Sequence, residues 1–132
     1  MSEAVNRTVG VLGEQAAAAW YERHGYTVVA RNVREGHYEL DLVAEDDTGI
    51  AFVEVKARTR APGGRSRFGR PSDAVDADKR RRTVLAAQAY LRAHPTDKQP
   101  RIDIAEVYMK RMPDGTHAVG DVKVFRNAVK AR

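Results

Sequence analysis

Cysteine is absent from the 132-residue chain. That excludes a disulfide scaffold and any metal site built on thiolates. No apolar run approaches the ~20 residues of a membrane-spanning helix, so no membrane partner is expected. Residues 1–13 lack the basic-then-apolar pattern of a secretory signal. There is no internal repeat and no long linker. The expectation is a cytoplasmic protein forming one domain over residues 1–132, since the length suits one compact unit and is short for two. An apolar fraction of 42% suffices for a real core.

What the chain does have is positive charge in one place. The formal net charge is +5 and the sequence pI is about 9.7. Between Lys56 and Arg82 there are ten Lys/Arg against three Asp, so the remainder is net negative. A concentrated basic segment points to a polyanionic partner. Taken alone, a solvated basic loop and helix start would account for it equally well.

Hydrophobic spacing orders the chain. Val9, Leu12, Ala16, Ala19 and Trp20 recur with helical period over residues 8–24; Thr8 is a suitable cap, and Gly25 suits the left-handed turn that ends a helix. Residues 27–33 read as a strand, with Val28 and Val29 β-branched. Residues 38–44 and 50–58 both alternate, and Asp46-Asp47-Thr48-Gly49 between them has turn composition. Residues 59–72, with Arg60, Arg65, Arg67 and Arg70 among prolines and glycines, are expected to be a mobile basic loop of functional length. A second helix follows over about 77–94, with Asp76 as cap, Val84, Ala87 and Leu91 as its buried stripe and Pro95 as its stop. Strands are expected near 102–110 and 117–125, joined by Pro113-Asp114-Gly115, before a basic, frayed tail over 126–132. The order αβββαββ predicts an α/β fold, a central mixed sheet flanked by helices.

The first hairpin carries the chemistry. If its turn centres between Asp47 and Thr48, cross-strand partners place Asp41 opposite Glu54, Glu39 opposite Lys56 and Val43 opposite Phe52. The two-residue period puts these six on one face and Leu40, Leu42, Val53 and Val55 on the other, an apolar core face. Directly opposed carboxylates repel. A divalent cation held by Asp41 and Glu54 would relieve that repulsion, as Mg²⁺ is often bound by one or two carboxylates plus water and phosphate; alternatively, one carboxyl keeps a raised pKa. Lys56 lies one pleat beyond Glu54 on the same side, where an ammonium can orient a water or offset charge in a phosphoryl transition state. The competing reading is an ordinary Glu39–Lys56 ion pair and acids decorating a solvated sheet face.

At these residues the sequence resembles a known family. Asp41 with Glu54-Val55-Lys56 is similar to the P-D…(D/E)-x-K nuclease signature. Gly13-Glu14-x-x-Ala17, Gly25-Tyr26, Arg31-Asn32, Glu39-Leu40-Asp41-Leu42-Val43-Ala44, Phe52-Val53-Glu54-Val55-Lys56-x-Arg58, Lys79 with Arg80 to Arg82, and Arg101-Ile102-Asp103 together resemble the YraN-like bacterial proteins. That family is grouped with Holliday-junction resolvases in the restriction-endonuclease-like fold. The resemblance implies a catalytic site of Glu14, Asp41, Glu54 and Lys56, the carbonyl of Val55 as a further metal ligand, Mg²⁺ or Mn²⁺ as cofactor, and DNA as substrate. Tyr38 and Leu40 depart from the pattern, standing where the family usually has Gly and the wider signature has Pro. By periodicity alone Glu14 falls almost opposite the Leu12, Ala16, Ala19 stripe and faces solvent. Gly10, Ala17 and Ala18 share its side, and small residues there permit close approach to the sheet.

The expected activity is metal-dependent endonucleolytic cleavage of DNA, selective for branched structures. Arg58, Arg60, Arg65, Arg67, Arg70 and Lys79 would hold backbone phosphates. Symmetric cleavage of a junction would call for a homodimer. The alternative is a non-catalytic nucleic-acid-binding module of the same fold. Trp20 and Tyr21 are expected to be core and helix edge. The four histidines show no ligand spacing; His37, two residues before Glu39, is the one nearest the acids.

Overall fold

A computed structural model describes residues 3–59 and 77–129 of the chain. Its elements are α1 (Glu3–Arg23), β1 (Thr27–Glu35), β2 (Tyr38–Glu45), β3 (Gly49–Thr59), α2 (Ala77–Ala93), β4 (Gln99–Arg111) and β5 (His117–Val129). That is the order read from the sequence. The strands form one sheet, ordered β1-β2-β3-β4-β5. Neighbours are antiparallel except β3 and β4, which are parallel. A parallel pair needs a crossover, and α2 lies within it. This mixed sheet with its helices is consistent with a restriction-endonuclease-like α/β fold.

Both sheet faces are covered, which corrects the expectation of a single core face. Leu42, Ala44, Val53, Ala105 and Val107 pack with Val9, Ala17, Ala18 and Tyr21 of α1. Val43, Ile50, Phe52 and Ile102 point the other way, against Val84, Ala86, Ala87 and Tyr90 of α2. Leu40, expected beside Leu42, joins this second cluster. The β1–β2 ladder passes over Asn32 and Asp41, and Asn32 is left-handed at φ 49°.

Helix α1 begins at Glu3, so Thr8 lies inside it rather than capping it. Its fully buried row is Gly13, Ala17, Ala18 and Tyr21, with Leu12, Ala16, Ala19 and Trp20 only partly covered. Small residues set this geometry: a Cβ on Gly13 would stand 3.0 Å from the Ala57 Cβ. The helix therefore crosses β3 at close range through the Gly13-x-x-x-Ala17 notch. Tyr21, fully buried, donates its hydroxyl to Asp103 Oδ2 at 2.7 Å. Burial, then the Asp103 carboxylate, raises the Tyr21 pKa, so the phenol stays protonated. Asp103 also accepts from Arg101 Nε at 2.9 Å and from the Asn127 backbone N–H at 2.9 Å. For Arg101, the Asp103 and Tyr26 contacts outweigh burial, and its pKa is raised.

The Asn127 bond ties down part of the expected tail: residues 126–129 belong to β5. Thr59, placed in the loop by composition, ends β3. Asp76 and the arginines at 60, 65, 67 and 70 lie outside the described residues.

Candidate metal and nucleic-acid site

The β2–β3 register is the one expected from the turn. Leu42 pairs with Val53, Val43 with Phe52, Ala44 with Ala51 and Glu45 with Ile50. Asp46 builds the turn by accepting from the N–H groups of Thr48 and Gly49, at 3.0 and 2.8 Å. Those bonds hold its carboxyl below its ordinary pKa.

Above Leu42 and Val53 the ladder stops. From there β2 stays with β1 as far as Tyr38, while β3 continues against β4 as far as Thr59. The two strands part, and the Asp41 side chain enters the fork. Its Oδ2 accepts the Val55 backbone N–H at 2.8 Å, replacing a rung that β2 no longer supplies. Asp41 and Glu54 are thus brought together at the mouth of a fork, where the sequence implied a flat, directly opposed pair. The Glu39–Lys56 pairing expected from the same register is absent, since the strands have separated by then. Glu39 bonds exposed Arg34 instead.

The fork opens into a cleft of about 370 Å³. Asp41 and Glu54 line its floor; His37, Tyr38 and Glu39 line one wall; Lys79, Arg82 and Thr83 of α2 line the other. Glu54 is 3% exposed, so it does not decorate a solvated surface. Its Oε1 accepts from the Thr83 hydroxyl at 3.2 Å. Its Oε2 is buried without a hydrogen-bond partner among the described residues, and Lys56 Nζ stands 3.6 Å from it. A buried carboxylate oxygen left in that state is costly unless something positive fills the remaining valence.

Asp41 carries a raised pKa. Burial is the main cause; the Val55 N–H and Lys79 oppose it, while Glu14 and Glu54 add to it. This is the raised carboxyl that the sequence left as an alternative to a cation. Glu14 is partly buried, on the same side of α1 as Ala17, Ala18 and Tyr21. Its field reaches Asp41 from the α1 side of the fork, so it does not simply face solvent.

The donor set is all oxygen and suits a hard cation such as Mg²⁺ or Mn²⁺. The Glu54 Oε2 that accepts no hydrogen bond, with Lys56 at 3.6 Å as its ion-pair partner, and the neighbouring Asp41 carboxyl both fit such an ion. Among the described residues no group of three or more His, Cys, Asp or Glu is arranged to hold a metal; two carboxylates with phosphate and water are a common Mg²⁺ set.

Of the residues expected to hold phosphate, Lys79 lines the cleft. Arg58 is placed differently: its Nε donates to Glu106 Oε2 at 3.0 Å, with both side chains largely buried. In the sequence Arg82 is only part of a basic run, and Thr83 gives no signal at all. Their place becomes visible once α2 is docked on the sheet, Lys79 and Thr83 standing four positions apart on one helix face.

Residues 13–107 match the model of the uncharacterised protein family UPF0102. The chain belongs to that family. It is the YraN-like group that the sequence blocks resemble. A UPF0102 protein of Bacteroides thetaiotaomicron is 42% identical over 104 residues, covering 79% of this chain and 82% of its own. A Symbiobacterium thermophilum member is 44% identical over 112 residues, covering 84% and 89%. A Chlorobium phaeobacteroides member is 34% identical over 124 residues, covering 93% and 94%. The matched region of the family begins at Gly13, the residue at the helix–sheet notch, and takes in the whole fork. No helix among the described residues is long and apolar enough to cross a membrane.

Proposed function

We propose that this UPF0102 member is a metal-dependent endonuclease that hydrolyses phosphodiester bonds in DNA, with branched structures as preferred substrates. One observation carries the reading: two carboxylates share a strand fork, one with a raised pKa and the other with an unsatisfied buried oxygen, and a lysine ammonium stands 3.6 Å from that oxygen. Such a cluster is poorly stabilised by the chain itself and well suited to a cation.

Asp41 and Glu54 hold the ion, with the Val55 carbonyl as the further ligand implied by family resemblance. The bound cation supplies a Lewis acid that polarises the phosphate. Lys56 orients the attacking water and offsets charge on the phosphoryl oxygens. Lys79 and Arg82, on the opposite wall, bind the flanking backbone phosphates, together with Arg60, Arg65, Arg67 and Arg70 of the basic segment. Glu14 acts through its field on Asp41. Cleavage placed symmetrically across a junction requires two such sites, hence a homodimer.

The test is a Mg²⁺ and Mn²⁺ titration against single-stranded, duplex, flap and four-way DNA. Cleavage is expected with either ion, abolished by Asp41→Asn and by Lys56→Ala with binding retained. Cleavage that survives both substitutions removes the mechanism. A non-catalytic nucleic-acid-binding module is the second reading, favoured by the lack of a third acidic ligand within reach among the described residues. It gives salt-dependent binding and no cleavage with any ion.

A further inference from the structure

We propose that Thr83 is a positioning residue that fixes Glu54 as a one-oxygen ligand; the inference rests on the metal-site reading above. The Thr83 hydroxyl is buried and has two acceptors in reach, Glu54 Oε1 at 3.2 Å and the Lys79 carbonyl, four residues earlier on α2, at 3.1 Å. A hydroxyl has one proton to donate, so it cannot serve both fully. The carboxylate is the stronger acceptor, since charge-assisted bonds are roughly twice as strong as neutral ones. The Lys79 carbonyl also sits within a helix.

With Oε1 held, rotation of the carboxylate is restrained. Its free oxygen, Oε2, is then the one presented beside Lys56 Nζ. Without the hydroxyl, Glu54 can rotate to share both oxygens with Lys56, extending the existing 3.6 Å ion pair at the expense of the ligand geometry. Thr83 does a second thing. It links the floor of the cleft to the turn of α2 that bears Lys79 and Arg82, so the phosphate-facing wall keeps register with the acids.

The experiment is Mn²⁺ binding to the full chain without nucleic acid, followed by electron paramagnetic resonance of the free ion, for the wild type, Thr83→Val and Thr83→Ser. Loss of a group that orients a ligand typically costs 10–100-fold in metal affinity. Thr83→Val, which keeps the shape and loses the hydroxyl, is expected to weaken Mn²⁺ binding by at least about tenfold on that scale. Thr83→Ser is expected to restore wild-type affinity, which a purely packing role for the threonine would not do. Should the valine variant fail to fold, Thr83→Ala serves in its place. Wild-type-like binding by the hydroxyl-free variant, or equal losses in the serine and hydroxyl-free variants, overturns the proposal while leaving the metal site standing. A wild type that binds no Mn²⁺ overturns both.

Discussion

Arg58 separates two ways of using a cation, and removing it tells them apart. Its guanidinium lies 3.0 Å from Glu106, whose side chain is 3% exposed, and is itself only 16% exposed. Arg58→Ala leaves a buried carboxylate without that partner. Breaking a buried pair by deleting one member costs about 3–5 kcal/mol. Lys56 and Lys123 are both paired with Glu106, in the β3–β4 and β4–β5 ladders, and share its face, so either can serve as a substitute cation. Partial compensation puts the expected loss at the low end, about 3 kcal/mol on that scale. Arg58→Lys should lose less than Arg58→Ala but more than nothing, since an ammonium lacks the planar fork. The double change Arg58→Met with Glu106→Leu should recover most of the loss, because replacing both members of a buried pair is often neutral. Urea unfolding reads these differences as midpoint shifts at constant slope. DNA binding supplies the counter-test. Removing a side chain that neutralises one phosphate should flatten the log–log salt dependence by about 0.9; for Arg58→Ala no flattening is expected beyond what misfolding explains. Near-wild-type stability together with a salt slope reduced by about one would make Arg58 a phosphate ligand and refute the structural assignment.

Three further outcomes follow from the described geometry. Asp41, with its pKa raised chiefly by burial, holds its proton more tightly folded than unfolded. Its contribution to stability is complete in acid below the unfolded-state value and is lost as pH rises through the raised one; Asp41→Asn should therefore match the wild type in acid and unfold at higher urea than it at pH 7, and the reverse ordering would contradict the burial argument. Gly13→Val should destabilise by about 1–3 kcal/mol through overpacking against the Ala57 Cβ, with Ala57→Gly recovering part of the loss in thermal unfolding. Asp103→Ala should cost about 3–5 kcal/mol because it strands Tyr21, Arg101 and the Asn127 N–H. Tyr21→Phe should cost about 1.5–3 kcal/mol, leaving the other donors in place, and equal losses for the two would show that the carboxylate is not the hub.

The local parts of this structure are readable in the sequence. The turn at Asp46–Gly49 carries its own stabilising side chain, so the register from Glu45↔Ile50 to Leu42↔Val53 follows from composition and a period of two. The fork does not follow. Nothing in the alternation of residues 38–44 says that β2 will stay with β1 while β3 leaves for β4; that choice is made by strands distant in the chain. The same holds for Thr83 and Arg82, which reach the acids only through the docking of α2. Helix α1 departs from its hydrophobic pattern for another reason. Hydrophobicity marks Leu12, Ala16 and Ala19, yet the buried row is Gly13, Ala17, Ala18 and Tyr21: the side that meets the sheet is the one whose Gly13 leaves room for the Ala57 Cβ, which an apolar pattern does not reveal. The same pattern turns Glu14 outward, where the structure leaves it half-covered. Arg58 looks like part of the basic cluster because its partner, Glu106, lies far along the chain in the parallel neighbour.

The parallel pairing of β3 with β4 also bears on when the site comes into being. Both acids and the lysine sit on a hairpin closed by a few residues, which needs only the N-terminal half of the chain. The opposing wall arrives with α2, whose seat on the sheet is shared with Ile102 of β4, and a crossover must close a far longer loop before any contact rewards it. A chain still emerging from the ribosome, or clipped after the hairpin, would carry both Asp41 and Glu54 and still lack the cleft. On this topology, completion of the cleft is expected to wait on the C-terminal strands.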